Sequence, residues 1–144
     1  MSSFKVFDIA GSGMSAESVR LNTVASNLAN ADSVSGDPTQ VYQAKHPVFQ
    51  SVQALGAAAA GQLNEQASAS VRVTGIAANT AAPESRYDPS NPLANSEGYV
   101  YSSNVNVVEE MTDMISASRS YQNNVEVMNT ARNMMLDTLK LGQS

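Results

Sequence analysis

The chain has 144 residues, a formal net charge of −5 and no cysteine, with 42 % apolar and 15 % charged residues. This length allows one domain, or one small domain with extended arms, and the missing cysteine excludes disulfides and thiolate chemistry. The acidic balance argues against nucleic acid and anionic lipid as partners, and we expect neither a membrane-spanning helix nor a cleaved signal peptide.

The first predicted element is a helix over about residues 3–31. Two sets of positions repeat every seven residues and lie three residues apart, which indicates a helix that packs along a partner helix. The first set is Phe7, Met14, Leu21 and Leu28, and the second, weaker set is Ala10, Glu17, Val24 and Ala31. Glycine costs about 1 kcal/mol relative to alanine inside a helix. We therefore predict a break or bend near Gly11-Ser12-Gly13, a better helix from Ser15, and an end near residues 30–32.

The middle of the chain, residues 33–104, contains all five prolines and most of the turn signals. Alternating or β-branched segments predict strands at 41–45, 71–74 and 99–101. The segment around 48–55 suits a strand or a short helix. A flexible loop is predicted at about residues 56–70, and a pair of turns at 87–92. This region is therefore predicted to be a small β-rich module.

The strongest pattern lies in the last third of the chain. One position recurs at alternating gaps of four and three, which is the period of a helix along a partner helix. The positions are Val107, Met111, Met114, Ser118, Tyr121, Val125, Met128, Arg132, Met135 and Leu139. Asn106 can cap the first turn, with Glu109 at capping-box spacing, and Lys140 and Gly142 supply a stop. Such a helix is roughly 50 Å long, too long for a domain of this size to bury alone.

Catalytic and metal sites have little support in the sequence. His46 is the only histidine, and because Pro47 favours an extended backbone before it, we interpret it as a loop residue. Glu109 and Asp113 share a helix face and would hold a metal only with ligands from elsewhere. We predict no enzymatic activity, no cofactor and no metal.

The two apolar stripes create a burial problem, because a single pair of helices leaves much of each stripe in water. We predict an α+β fold in which N- and C-terminal helical arms, residues 1–32 and 105–144, pair as a coiled coil, with the small β-rich module at 33–104 inserted between them. We expect the arms to be marginal in the free monomer and to be ordered by assembly. The expected assembly-interface residues are Phe7, Met14, Leu21, Val24, Asn27, Leu28, Asn30, Val107, Met111, Met114, Ile115, Tyr121, Val125, Met128, Met135 and Leu139.

Short motifs carry a family resemblance. Ser26-Asn27-Leu28-Ala29-Asn30 resembles the amide motif of the axial proteins of the bacterial flagellum, which form the rod, the hook and their junctions. Residues 104–111 and 114–122, with the ending at 139–143, resemble the proximal-rod proteins of the basal body more specifically. The resemblance covers nearly the whole chain; a departure is Gly13, where an alanine is usual.

The resemblance implies a structural subunit that assembles helically into the rod and transmits torque from rotor to hook. It also implies export through the flagellar type III apparatus without a cleaved signal, and a place in the rod where it crosses the periplasm. The implied partners are copies of the chain, rod proteins of the FlgB, FlgF, FlgG and FliE types, and the export apparatus. A cytosolic coiled-coil adaptor is the alternative, although such a protein normally carries more charged residues beside the stripe.

Overall fold

The computed structural model describes residues 3–53 and 69–142. The described part contains two α-helices and five β-strands, so the predicted α+β class is confirmed. In chain order these are α1 (Ser3–Ala29), β1 (Val34–Ser35), β2 (Lys45–Gln53), β3 (Ala69–Ala78), β4 (Glu84–Tyr87), β5 (Tyr99–Ser102) and α2 (Val107–Leu141). Neither described helix combines the length and the apolar character needed to cross a bilayer.

Helix α1 is continuous from Ser3 to Ala29, so the predicted break at Gly11-Ser12-Gly13 is wrong. The reason lies in the packing of Gly13 against α2. A Cβ atom at Gly13 would lie 2.8 Å from the Nδ2 atom of Asn124, so the glycine is what lets this side chain approach the α1 backbone. Tertiary packing of this kind outweighs the low helix propensity of glycine. Turns follow at residues 30–32, where the end of the helix was predicted.

The strands form two separate antiparallel sheets. Strands β2 and β3 form a two-stranded sheet, here called the β2–β3 ribbon, whose pairing begins with Lys45 opposite Ala78. The register shifts between Val48 and Phe49, where the hydroxyl of Thr74 donates to the carbonyl of Val48 at 3.1 Å. The second sheet has the strand order β1-β5-β4, with β5 in the centre.

Strands β3 and β5 confirm the predictions at 71–74 and 99–101, and the ambiguous segment is a strand as far as Gln53. The strand predicted at 41–45 is wrong, because β2 starts only at Lys45 and the preceding residues form a loop whose backbone is bound by side chains. The predicted flexible loop at about 56–70 lies outside the described residues, apart from its last two residues, which begin β3. Strands β1 and β4 are too short and too polar to give a pattern.

Helix α2 has the predicted boundaries. The Oδ1 atom of Asn106 accepts hydrogen bonds from the backbone N–H groups of Val108 at 3.1 Å and Glu109 at 3.4 Å. These bonds satisfy two of the donors that a helix leaves unpaired at its N-terminus. The helix ends at Leu141, and Gly142 follows in a right-handed conformation with φ of −80°. The C-cap therefore does not require the left-handed backbone conformation that glycine readily adopts.

The described core is built from small side chains. Its buried apolar residues are Ala10, Ala16, Val24, Val41, Ala44, Val100 and Ala117. The largest fully buried side chains are those of Val100 and Asn27, one of which is polar. Burial of apolar area is the main stabilising term in folding, and in the described part of the chain few large apolar side chains are fully buried.

Candidate assembly site

Helices α1 and α2 lie side by side and run in opposite directions. Asn27 bonds Glu110 near one end of the pair, and Gly13 meets Asn124 further along. Between these points, a nitrogen of the Arg20 guanidinium lies 2.8 Å from the Oδ1 atom of Asp113. Residue numbers thus rise along one helix as they fall along the other. This antiparallel arrangement determines which face of each helix lies against the other helix.

The most buried face of α2 is not centred on the large apolar residues of the predicted stripe. Its two buried residues are Glu110 and Ala117, and Asn124 continues the same seven-residue interval. These positions lie one residue before Met111, Ser118 and others of the stripe. Because they carry a charge, a methyl group and an amide, a search for large apolar residues passes over them.

The predicted interface residues therefore have three kinds of environment. Val24 and Asn27 are buried inside the single chain. The half-buried ones are Phe7, Met14, Leu21, Leu28, Asn30, Met114, Val125, Met128 and Met135. The exposed ones are Val107, Met111, Ile115, Tyr121 and Leu139. Contact of these residues with neighbouring subunits stays a prediction.

The side chain of Asn27 ties both helices to the β2–β3 ribbon. Its Nδ2 group donates to the carbonyl of Lys45 and to the Oε1 atom of Glu110, both at 2.8 Å. Its Oδ1 atom accepts from the N–H of Lys45 at 2.9 Å and from the hydroxyl of Tyr42 at 3.0 Å. The amide thus uses both donors and both acceptor positions, which is the full capacity of the group.

A second amide, that of Asn104, holds the neighbouring stretch of backbone. Its Oδ1 atom accepts from the N–H of Ala44 at 2.8 Å, and its Nδ2 group donates to the carbonyls of Asn79 at 3.2 Å and Ala81 at 2.9 Å. The backbone at the start of β2 therefore lies between two asparagine side chains. We call Asn27, Asn104 and Glu110, with the Ala44–Lys45 backbone, the amide junction.

The electrostatics of the junction centre on Glu110, which is 3 % exposed. Burial raises the pKa of its carboxyl above the usual value, since the charged form loses its hydration, while the bond from Asn27 opposes this rise. The pKa of the Tyr42 hydroxyl is also raised, first by burial and then by the nearby Glu110.

The sequence prediction included Asn27 but missed Asn104 and Glu110 as site residues. Their partners lie 60 and 83 positions away along the chain, so no local periodicity marks them. The signals that pointed to Asn27 were its position beside an apolar stripe and its place in the Ser26-Asn27-Leu28-Ala29-Asn30 motif.

Two further concavities border the helices. A cavity of about 410 Å³ lies between α1 and the ribbon, where the Ser12 hydroxyl oxygen accepts from the N–H of Val71 at 3.2 Å. A groove of about 620 Å³ lies between the start of α1 and the second half of α2, lined by residues such as Val6, Val127 and Met134. The groove is mostly apolar and open.

Comparison with known proteins identifies the family. The family model described as flagella basal body rod protein matches residues 7–36, and that described as flagellar basal body rod FlgEFG protein C-terminal matches residues 96–141. The flagellar basal-body rod proteins FlgC of Escherichia coli O6:H1 and Yersinia enterocolitica are each 52 % identical to this chain over 143 residues. FlgC of Salmonella typhimurium is 50 % identical, and each comparison covers 99 % of this chain and 100 % of the relative. The chain belongs to the FlgC family of flagellar basal-body rod proteins.

Membership of the FlgC family confirms the resemblance that the sequence motifs carry, and the cytosolic adaptor is not favoured. FlgC proteins are structural components of the flagellar basal body, so the expectation that this chain is not an enzyme is confirmed. One matched segment contains most of α1 together with β1, and the other contains β5 and α2. The amide junction joins these two segments through Asn27 and Glu110.

Proposed function

We propose that this FlgC-family protein is a subunit of the proximal rod, where it assembles helically with other axial proteins and transmits torque from rotor to hook. The observation that carries this proposal is that the described core consists mainly of small side chains, whereas large apolar side chains lie exposed on α2. The α2 residues that combine large apolar side chains with exposure include Val107, Val108, Met111, Ile115, Tyr121, Val127, Met134, Leu136 and Leu139. Apolar surface of this extent along one helix is typical of a surface that another protein covers.

In the proposed assembly, α1 and α2 pair as a coiled coil, with helical arms at residues 1–32 and 105–144 and the β-rich module at 33–104 inserted between them. The arms line the inner tube of the rod and the module lies outside them. The antiparallel contact at Asn27 and Gly13 supports the pairing. Neighbouring subunits then contact the predicted interface residues and the groove beside Val6. Contacts of this head-to-tail kind do not close and so generate a helical tube.

The proposal extends to delivery and partners. The chain passes unfolded through the flagellar type III export apparatus without a cleaved signal and joins the rod in the periplasm. Its neighbours there are copies of itself and rod proteins of the FlgB, FlgF, FlgG and FliE types. A chain without cysteine and with few charges suits passage through a narrow channel, and α2 gains buried area only after it arrives.

The test removes exposed apolar area without touching the amide junction. Met111 and Ile115 are 54 % and 55 % exposed and lie one turn apart, so the double variant Met111→Ser, Ile115→Ser leaves the intramolecular core intact. We expect an unchanged circular dichroism spectrum for the purified double variant. In cells that lack their own FlgC, we expect it to fail to restore basal bodies and swimming.

The matched control is Ser116→Asn, a polar-to-polar change at an exposed position of the same helical turn. This variant should restore swimming fully. Full motility with the double variant would contradict the proposed role of this face, and normal rods in cells without any FlgC would contradict the rod function itself.

A further inference from the structure

Glu110 is a buried ionisable group whose negative charge has few compensating interactions in the described part of the chain. It is the one buried carboxylate among the described residues and lies in the first turns of α2, at the contact with α1 and β2. Its Oε1 atom accepts one hydrogen bond from Asn27, while its Oε2 atom has no hydrogen-bond partner in the described part of the chain. A buried carboxylate in this state is costly when charged, and much less so when it carries a proton.

Within residues 3–53 and 69–142, the only positive charge that favours the charged carboxylate is that of a protonated His46. Glu110 forms no ion pair there, and the nearest α1 cation, Arg20, is engaged by Asp113 at 2.8 Å. The Lys45 ammonium lies over the ring of Tyr42, 5.4 Å from its centroid. The charged or titratable groups around the junction are Arg20 on α1, Tyr42 in the loop, Lys45 and His46 on β2, and Glu109 and Asp113 on α2.

We propose that Glu110 is a proton-linked latch between α2, α1 and the start of β2. With a proton on the carboxyl, the first turns of α2 pack closed against Asn27 and the Lys45 backbone. Release of that proton to solvent leaves a buried charge with one hydrogen bond, and the closed arrangement loosens. This inference concerns the conformation of a single chain and does not depend on rod assembly.

The direction of the pH effect follows from the environment. Burial raises the pKa of Glu110 in the folded chain above its value in the unfolded chain. The stabilising contribution of the protonated group is therefore complete below the unfolded pKa and is lost as pH rises through the folded pKa. A protonated His46 opposes this trend by favouring the charged carboxylate, whereas Asp113 and Glu109 reinforce it.

The experiment compares the full-length chain with Glu110→Gln, which keeps an oxygen acceptor for Asn27 but cannot ionise. Thermal unfolding is followed by circular dichroism from about pH 4 to about pH 8.5, a range that spans the titration of a carboxyl with a raised pKa. We expect the Tm of Glu110→Gln minus that of the wild type to be near zero at the acid end. The difference should widen by about 2 °C or more toward the alkaline end. The control is Glu109→Gln, which removes the same charge at an exposed neighbouring position and should not reproduce this widening.

Two further measurements assign the pH dependence to Glu110 itself. The widening should persist in a His46→Gln background, because the latch resides in Glu110 rather than in the histidine. In wild-type protein, the carboxyl carbon signal of Glu110 in a nuclear magnetic resonance titration should move at a higher pH than is usual for a glutamate. A Tm difference that is flat or shrinks with pH, or a Glu110 titration at or below the usual pH range of a glutamate, overturns the proposal. Absence of a cooperative transition in the free chain overturns it too.

Discussion

Two faces of α2 differ in the size of the residues they carry. The face toward α1 carries Glu110, Ala117 and Asn124, with Ala117 fully buried at 0 % exposure. A second face carries large apolar residues such as Met111 and Ile115, more than half exposed. In most helical proteins the larger apolar side chains lie inside.

This difference is expected of a chain that uses one face of α2 for folding and the other for the proposed assembly. Small side chains let the α1 and α2 backbones approach closely, and directional hydrogen bonds from Asn27 fix their register. The large apolar residues add little to the stability of one chain and remain available to other chains. Variants that alter one face should therefore leave the role of the other unchanged.

The variant Asn27→Leu should produce the largest change on the inner face. It removes four hydrogen bonds and leaves the buried Glu110 carboxyl without its one hydrogen-bond donor. We expect a loss of about 3–5 kcal/mol in the free energy of unfolding, measured by urea denaturation. Asn22→Leu, at an exposed position of the same helix, should change stability by no more than about 0.5 kcal/mol. Equal losses from both variants would show that the amide junction has no special role.

An intermediate effect is expected where the helices approach at Gly13. A leucine there would displace Asn124, whose Nδ2 atom is 2.8 Å from the Cβ position, so Gly13→Leu should cost about 1–3 kcal/mol. Gly11→Leu is the matched control, because nothing lies within 4 Å of the Cβ position there, and it should stabilise the helix by about 0.5–1 kcal/mol. Thermal melts of the two variants should therefore shift in opposite directions. A stabilised Gly13→Leu variant would mean that the helices do not pack in this way.

The smallest effect concerns the ion pair between Arg20 and Asp113, whose side chains are 25 % and 36 % exposed. Asp113→Asn should lower stability by about 0.2–1 kcal/mol, and the loss should shrink at about 1 M salt because partly exposed charges are screened. The control is Asp137→Asn, which removes the more exposed ion pair with Lys140 and should have no measurable effect. A loss of several kcal/mol that persists at high salt would place this pair among the main determinants of helix pairing.

The sequence predicts the features of the fold that depend on residues close together in the chain. It fails to predict the features that depend on contacts between distant residues. The start of α2 is predictable because Asn106 bonds donors two and three residues away. The inner face of α2 is not predictable from hydrophobic periodicity, since close helix contact selects Ala117 and Asn124 rather than large apolar residues. For the same reason Gly13 gives a false signal of a helix break.

The candidate site divides in the same way. The alternating gaps of four and three predict the stripe that contains the exposed Met111 and Tyr121. The amide junction could not be predicted, because Asn104 and Glu110 find their partners across 60 and 83 positions of chain. Only the folded chain brings these groups to the Ala44–Lys45 backbone.

The two asparagine side chains that hold the start of β2 have a mechanical consequence. Apolar surfaces can slide over one another with little resistance, whereas hydrogen bonds are directional and weaken steeply when donor and acceptor are displaced. The hydrogen bonds of the amide junction to the Ala44 and Lys45 backbone therefore resist shear between the helices and the β2–β3 ribbon. In a rotating shaft, such a joint lets each subunit twist as one stiff body instead of yielding internally.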